Sequence, residues 1–284
     1  MALLVAGIGT SHVPTVARAI DHDQQQTPAW KPLFDAYAPV KEWLRELRPD
    51  IAIVAYDDHG ADFFLDRFPT FGVGVAPQYE IADEGFGVRK LPAIPGDVPF
   101  SAHLCESLVE SEFDITTCQE MKVEHGLLVP LNLCFDWDQG WPVRVVPITV
   151  NAMLHPMPTA RRCLRLGQAI RKAVDSYPAD ARVVVLGTGG LSHQLSGKNF
   201  GALSARWDED FLDRLGPDPE SIASLSHHEL IERFGVEGME VMIWLIMRGA
   251  LGPNVRQVHR NYYAPMTTGM GLLTLVDEEA ALAA

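Results

Sequence analysis

The sequence is short of cysteines, of basic residues and of long apolar runs, and each shortage excludes a class of protein. Its four cysteines form no CxxC pair, so they provide no framework for a structural zinc or iron–sulfur site, and reduced thiols are expected (Cys105, Cys118, Cys134 and Cys163). A net charge of −14 argues against a nucleic-acid partner. The longest apolar stretch, VMIWLIM, is too short to cross a bilayer, and the start MALLVAGIGTSHVP lacks the features of a signal peptide. We therefore expect a cytoplasmic protein that binds neither nucleic acid nor membranes.

Several common enzyme motifs are also incomplete or missing. The segment GTGG resembles the start of a dinucleotide-binding loop, but Ser192 stands where GxGxxG requires its last glycine, and GIGTSH has His12 at the equivalent place. Ser192 does not lie in a GxSxG motif, and HExxH is absent. The sequence therefore disfavours a Rossmann dehydrogenase, a serine hydrolase of the α/β type and a zincin protease.

Apolar runs and amphipathic segments alternate along the chain. LLVAGIG, IAIVAY, VRVVPITVN and ARVVVLGTGG are typical of buried strands, and PTARRCLRLGQAIRKAVDSY of an amphipathic helix. The first strand is predicted to lead into a loop, and the pattern after His193 is helical until a final strand near MGLLTLV. No repeat or linker interrupts it. We predict one α/β domain over residues 1–284, with a mostly buried central sheet flanked by helices and a helical C-terminal part.

Three histidines follow predicted strands directly. His12, His59 and His193 come after LLVAGIGTS, IAIVAYDD and VVVLGTGGLS, which would place them at the carboxyl edge of the sheet, where open α/β folds bind ligands. His125, in VEHG, is a weaker case of the same kind. A histidine at a strand end is also often a loop, capping or packing residue, and DDHG suits a solvated turn as well as a site in which Asp57 and Asp58 orient His59.

Glu240 is a carboxylate inside the apolar stretch MEVMIWLIM, which predicts a buried helix. A buried carboxylate must be paired, protonated or bound to a metal, and no Lys or Arg lies within one helical turn. Two histidines and one carboxylate at a shared edge would bind a divalent metal and leave positions open for substrate. Spacing alone does not say which histidine is not a ligand, and a zinc-dependent hydrolase could use the same residues.

Six segments, in order, carry a resemblance that covers almost the whole chain: GIGTSHVP, DDHG followed by FPTFGVG, ADEGFG, VEHGLLVPL, GTGGLSHQLSG and EGMEVMIWLIMRGAL. They resemble the class III (LigB-type) extradiol ring-cleaving dioxygenases, the family of the catalytic β subunit of protocatechuate 4,5-dioxygenase. The resemblance implies an α/β sheet flanked by helices. It further implies that His12, His59 and Glu240 bind a non-haem Fe(II), that His193 is the active-site acid/base, and that His125 lies near substrate and oxygen.

The same resemblance implies O2-dependent meta cleavage of a catechol to a ring-opened semialdehyde or keto acid. Arg18 could hold a ring carboxylate or simply point to solvent. Thr267 and Thr268 lie in the neighbourhood where a protocatechuate-cleaving member has a Ser-Asn pair that helps hold that group. An anionic, carboxylated catechol is expected, with protocatechuate, gallate, its O-methyl ether and a hydroxypyridone all open. The resemblance also implies a small separate α subunit that covers the site, or closure by a homo-oligomer. A metal-free binding or scaffold relative is the remaining alternative.

Overall fold

The strands are runs of branched apolar residues in the central part of the sheet and shorter, more polar segments at its margins. The computed structural model describes residues 1–278. In chain order the strands there are β1 (Leu3–Thr10), β2 (Ile51–Tyr56), β3 (Phe71–Gly74), β4 (Gln78–Ile81), β5 (Ile94–Pro95), β6 (Thr116–Cys118), β7 (Lys122–Val123), β8 (Arg144–Val150), β9 (Arg182–Thr188), β10 (Val255–Tyr263) and β11 (Met270–Asp277).

Eight of these strands form one sheet in the order β10-β11-β1-β9-β2-β8-β3-β6. The four at its centre, β1, β9, β2 and β8, are parallel, and β11 and β3 pair antiparallel with β1 and β8. The central strands are buried nearly throughout, as parallel strands covered on both faces must be. Strands β5, β4 and β7 form a small second sheet.

Helices cover both faces of the large sheet. In residues 1–278 the helices are α1 (Pro14–Asp21), α2 (Lys31–Leu47), α3 (Val98–Glu110), α4 (His125–Cys134), α5 (Ala160–Ser176), α6 (Ala205–Leu215), α7 (Pro219–Ala223), α8 (His227–Phe234) and α9 (Val241–Ala250). One core joins α3, α5 and α9 to the sheet, and the other joins α2 and α4 to its opposite face. Short 3₁₀ turns occupy Gly197–Asn199 and Glu237–Glu240. None of the helices in residues 1–278 combines the length and apolarity needed to cross a bilayer.

The predicted fold class is confirmed, and three local predictions are wrong. The segment after β1 is helix α1 rather than a loop, because Pro14 occupies the first helical position, where its missing N–H costs nothing. Strand β10 was not predicted, because it is a partly exposed edge strand without apolar alternation. The helix expected to contain Glu240 begins one residue later, at Val241, and Glu240 ends the preceding 3₁₀ turn.

Candidate metal centre

The three strand-end histidines follow three neighbouring parallel strands. His12 comes directly after β1, His59 after β2 and His193 after β9, and β9 lies between the other two strands. Parallel strands end at the same edge of a sheet, so these loops converge as the sequence predicted. Glu240 reaches the same edge from the other direction, on the 3₁₀ turn before α9, whose helix packs across β9 and β1.

Glycine makes the approach of Glu240 possible. Gly189 has a φ of +140°, and a Cβ atom there would lie 2.5 Å from Cβ of Glu240. The backbone N–H of the next residue, Gly190, donates to Oε2 of Glu240. The glycines of the GTGG segment therefore allow the backbone to pack closely against the Glu240 carboxylate, and not against a nucleotide phosphate.

His12, His59 and Glu240 meet in one cluster, in which His12 and Glu240 are buried and His59 is partly exposed. Nε2 of His12 lies 3.6 Å from Oε2 of Glu240, and Nε2 of His59 lies 3.4 Å from Oε1 of the same carboxylate. His12 is 2% exposed and Glu240 6% exposed. Burial raises the pKa of Glu240, but the adjacent rings of His12 and His59 outweigh that effect and hold the pKa well below its usual range.

Hydrogen bonds at the far side of each ring fix which nitrogen faces the centre. Thr188 donates its hydroxyl proton to the carbonyl of Gly126 at 3.2 Å, so it accepts from Nδ1–H of His12 at 3.0 Å. Nδ1–H of His59 donates to Oε2 of Glu124 at 3.2 Å. In the neutral rings, which are the forms that bind a metal, both Nε2 atoms therefore carry their lone pairs toward Glu240.

These donors fit a divalent transition metal. Nε2 of His12 is fully buried and has no hydrogen-bond partner within residues 1–278, although a lone pair there needs a proton donor or a cation. Two imidazole nitrogens and a carboxylate suit Fe(II) and its neighbours and leave coordination positions open. His125 belongs to a second grouping with His12 and His59, in which one ring nitrogen from each lies within 4.8 Å of the others.

His193 lies beside the cluster with one ring nitrogen engaged and the other free. Its Nδ1–H donates to the carbonyl of Leu191 at 2.8 Å, which leaves the Nε2 lone pair free to accept a proton. Asp208 holds the adjoining residue in place, because it accepts from both N–H and hydroxyl of Ser192 at 2.7 Å. The ring is 5% exposed.

His125 faces two carboxylates. Its Nδ1 contacts Glu84 and Glu124, and its ring centroid lies 4.2 Å from that of His59. Against the effect of burial, Glu124 and Glu84 raise the pKa of His125 to about 9. His125 therefore has a protonated form near neutral pH that can donate a hydrogen bond from Nε2.

The predicted substrate groups line two different cavities. Arg18 is exposed on α1 and borders a cleft of about 790 Å³ whose walls also include Glu84, Lys90 and His125. Thr267 and Thr268 border a smaller cavity of about 130 Å³. Thr268 also forms an isolated β-bridge with His193, which places it next to the proposed acid/base.

Sequence reasoning missed the residues that support the site. Asp58 was one of two candidates for orienting His59, but its oxygens accept backbone N–H groups of the turn after His59, from Gly60 to Phe63. The orienting carboxylate is Glu124, 65 positions away. The only sequence signal for Glu124 was its position next to His125 in VEHG.

Glu84 lies on a loop that Arg89 anchors, because Arg89 binds Asp21 through two nitrogens.

Glu124 provides the first test of this arrangement. Substitution Glu124→Gln should weaken metal binding by about 10- to 100-fold, because a neutral amide no longer fixes Nδ1–H of both His59 and His125. Anaerobic competition with a chromogenic chelator measures the change. Glu80→Gln, on strand β4, is a matched control that should bind metal as the wild type does. An unchanged affinity in Glu124→Gln would show that Glu124 does not orient the ligands.

Comparison with known proteins agrees with these features. Residues 6–273 match the family model described as the catalytic LigB subunit of aromatic ring-opening dioxygenase. A gallate dioxygenase from Pseudomonas putida is 42% identical over 204 residues, which cover 72% of this chain and 60% of that protein. The chain thus spans less than two thirds of that relative's length.

Two further relatives cover nearly the whole chain. A 2,3-dihydroxyphenylpropionate/2,3-dihydroxicinnamic acid 1,2-dioxygenase from Photorhabdus laumondii is 24% identical and covers 96% of both chains. The crystal structure of an uncharacterized Escherichia coli K12 protein has a TM-score of 0.57 at 15% identity, covers 95% of this chain and 98% of that one, and supports the fold alone. The resemblance to class III extradiol dioxygenases is confirmed, and the chain belongs to the LigB family of aromatic ring-opening dioxygenase catalytic subunits.

Proposed function

We propose that this protein catalyses Fe(II)-dependent extradiol cleavage of a carboxylated catechol such as gallate or protocatechuate, with O2 as co-substrate. The observation that carries the proposal is the convergence of the Nε2 atoms of His12 and His59 on Glu240, with both Nδ1 atoms already engaged. We assign His12, His59 and Glu240 as the metal ligands. His193 and His125 are proposed as the groups that touch the reacting molecules, and residues 1–284 as one catalytic domain.

Each proposed role follows from the chemistry of the chain's own groups. Bound Fe(II) would supply adjacent open positions for a catechol and O2 and a route for electrons from the ring to oxygen. Nε2 of His193 accepts a proton from a catechol hydroxyl and can return it later in the reaction, since Nδ1 stays bound to Leu191. Protonated His125 donates a hydrogen bond to the developing negative charge on oxygen. The burial of His193 and His125 limits the access of bulk water to both rings.

The substrate class is proposed from the relatives and from charge. The P. putida relative is named for gallate, a carboxylated trihydroxybenzene. Arg18 is a cation at the cleft beside His125, and within residues 1–278 its guanidinium makes no ion pair or hydrogen bond. Thr267 and Thr268 could hydrogen-bond the far side of the ring or its carboxylate. Oxygen uptake with a panel of catechol carboxylates would rank protocatechuate, gallate, its O-methyl ether and hydroxypyridones.

Arg18 gives a specificity prediction. In Arg18→Gln, the KM for a carboxylated catechol should rise about tenfold, which corresponds to about 1.4 kcal/mol of lost charge-assisted binding. Its KM for unsubstituted catechol should change little. Steady-state oxygen uptake with both substrates checks this, and Arg165→Gln, an exposed arginine on α5, is the control. Equal effects on both substrates would remove Arg18 from carboxylate recognition.

A zinc-dependent hydrolase is the second candidate, because the same three donors also bind Zn²⁺ with an open position. Reconstitution of the metal-free protein separates the two functions: Fe(II) should support oxygen uptake with catechols, whereas zinc-supported hydrolysis without oxygen uptake would favour the hydrolase. Absence of any metal-dependent turnover would favour a binding or scaffold role. We further propose a cytoplasmic location, and closure of the site by a small separate subunit or by a second copy of the chain.

A further inference from the structure

Asp57 is a buried carboxylate to which the assignment of His12, His59 and Glu240 as metal ligands gives no role. It follows β2 directly and is 0% exposed, and neither of its oxygens has a hydrogen-bond partner within the described residues 1–278. Asp58, the next residue and equally buried, accepts four backbone N–H groups. A buried carboxylate without hydrogen bonds is unfavourable unless a cation lies beside it, and the groups next to Asp57 are the rings of His12 and His59 and any ion held between them.

The two oxygens of Asp57 face the metal-binding nitrogens. Oδ1 lies 3.6 Å from Nε2 of His12, and Oδ2 lies 3.5 Å from Nε2 of His59. Glu240 spans the same two nitrogens at 3.6 and 3.4 Å. Asp57 and Glu240 thus each place two oxygens against the same two nitrogens.

These distances indicate a shared ion rather than hydrogen bonds. They exceed the usual N–H···O range, and in the neutral rings with Nδ1–H engaged both Nε2 atoms carry lone pairs that cannot donate. Donor atoms that each lie about 2.1 Å from one ion are about 3.0 to 3.4 Å apart. The observed separations of 3.4 to 3.6 Å come close to that spacing, and ligand atoms of all four residues lie within 4.8 Å of one another.

We propose that Asp57 is a fourth protein ligand of the divalent metal, so that the site before substrate arrives contains two histidines and two carboxylates. The inference rests on the metal centre of the proposed function. Two carboxylates balance the 2+ charge of the ion, whereas Glu240 alone leaves one positive charge. Asp57 would therefore help retain the ion in the absence of substrate, and it makes the ligand set richer in oxygen than two histidines and one carboxylate.

The test compares Asp57→Asn with a matched buried aspartate. Asp97 is buried, caps α3 by accepting from the N–H of Phe100, and pairs with Arg144, so Asp97→Asn removes a satisfied carboxylate away from the site. Affinity for Fe(II), and for Co(II) as an oxygen-stable probe, is measured anaerobically by chelator competition. Asp57→Asn should bind metal at least tenfold more weakly and change the visible absorption spectrum of bound Co(II). Asp97→Asn should alter neither.

Stability of the metal-free protein adds an independent readout. Metal-free Asp57→Asn should unfold at a higher temperature than metal-free wild type, because the variant lacks the second of two buried carboxylates that face the same histidines, and its gain in Tm on adding metal should be smaller. Asp97→Asn should lower Tm with and without metal. If the asparagine variant does not fold, Asp57→Ser tests the same loss of charge by metal affinity.

The outcomes separate this inference from the function on which it rests. If the wild type binds no divalent metal, the proposed function fails. If the wild type binds metal and Asp57→Asn binds it within twofold with an unchanged Co(II) spectrum, the fourth-ligand role is overturned and the three-ligand site stands.

Discussion

Glu240→Gln should lose both metal and ring cleavage while keeping the fold. The substitution keeps the shape of the side chain but replaces the carboxylate whose two oxygens face the Nε2 atoms of His12 and His59. The affinity for Fe(II) should fall by more than the 10- to 100-fold expected for loss of an outer supporting residue. Metal content after gel filtration and oxygen uptake with gallate or protocatechuate measure both effects.

A control for this variant lies on the same 3₁₀ turn. Glu237 accepts from Leu195 and Ser196 rather than facing the cluster, so Glu237→Gln should retain bound metal. Full metal content and turnover in Glu240→Gln would contradict its assignment as a ligand and would leave His125 as the alternative third donor with His12 and His59.

His193→Phe should separate proton transfer from metal binding. Phenylalanine fills the site but has no nitrogen to accept the catechol proton, so turnover should fall by about 10²- to 10⁴-fold. Metal content should stay at the wild-type level, because His193 is not among the proposed ligands. Rates of oxygen uptake by the Fe(II)-loaded variant, normalised to bound iron, give the comparison.

An exposed histidine provides the matched control for that substitution. His228→Phe, on α8 and far more exposed, should leave both turnover and iron content unchanged. Near-normal turnover of His193→Phe would remove His193 from the mechanism. Loss of iron from the same variant would instead indicate that His193 is a metal ligand.

The sequence predicts the central part of this site because local signals determine it. The strands before His12, His59 and His193 are runs of branched apolar residues, and parallel strands in one sheet place their following loops together. Glu240 was identifiable from burial alone. Its exact position was not, because helical periodicity in MEVMIWLIM continues through the 3₁₀ turn that precedes α9.

The supporting residues could not be predicted, because their contacts join distant parts of the chain. Glu124 reaches His59 across 65 positions, and Thr188 reaches His12 across 176. Asp57 and Asp58 are identical in type and adjacent, yet one faces the histidines and the other holds a turn. No pattern of apolar residues distinguishes these two roles.

The most direct test of the proposed function is the fate of labelled oxygen. Metal-free protein is loaded anaerobically with Fe(II), mixed with gallate or protocatechuate, and exposed to ¹⁸O2, and the product is analysed by mass spectrometry. We predict a ring-opened product that contains both labelled atoms, formed with one O2 consumed per substrate and only in the presence of Fe(II). A product without label, or turnover supported by zinc without oxygen uptake, would contradict it.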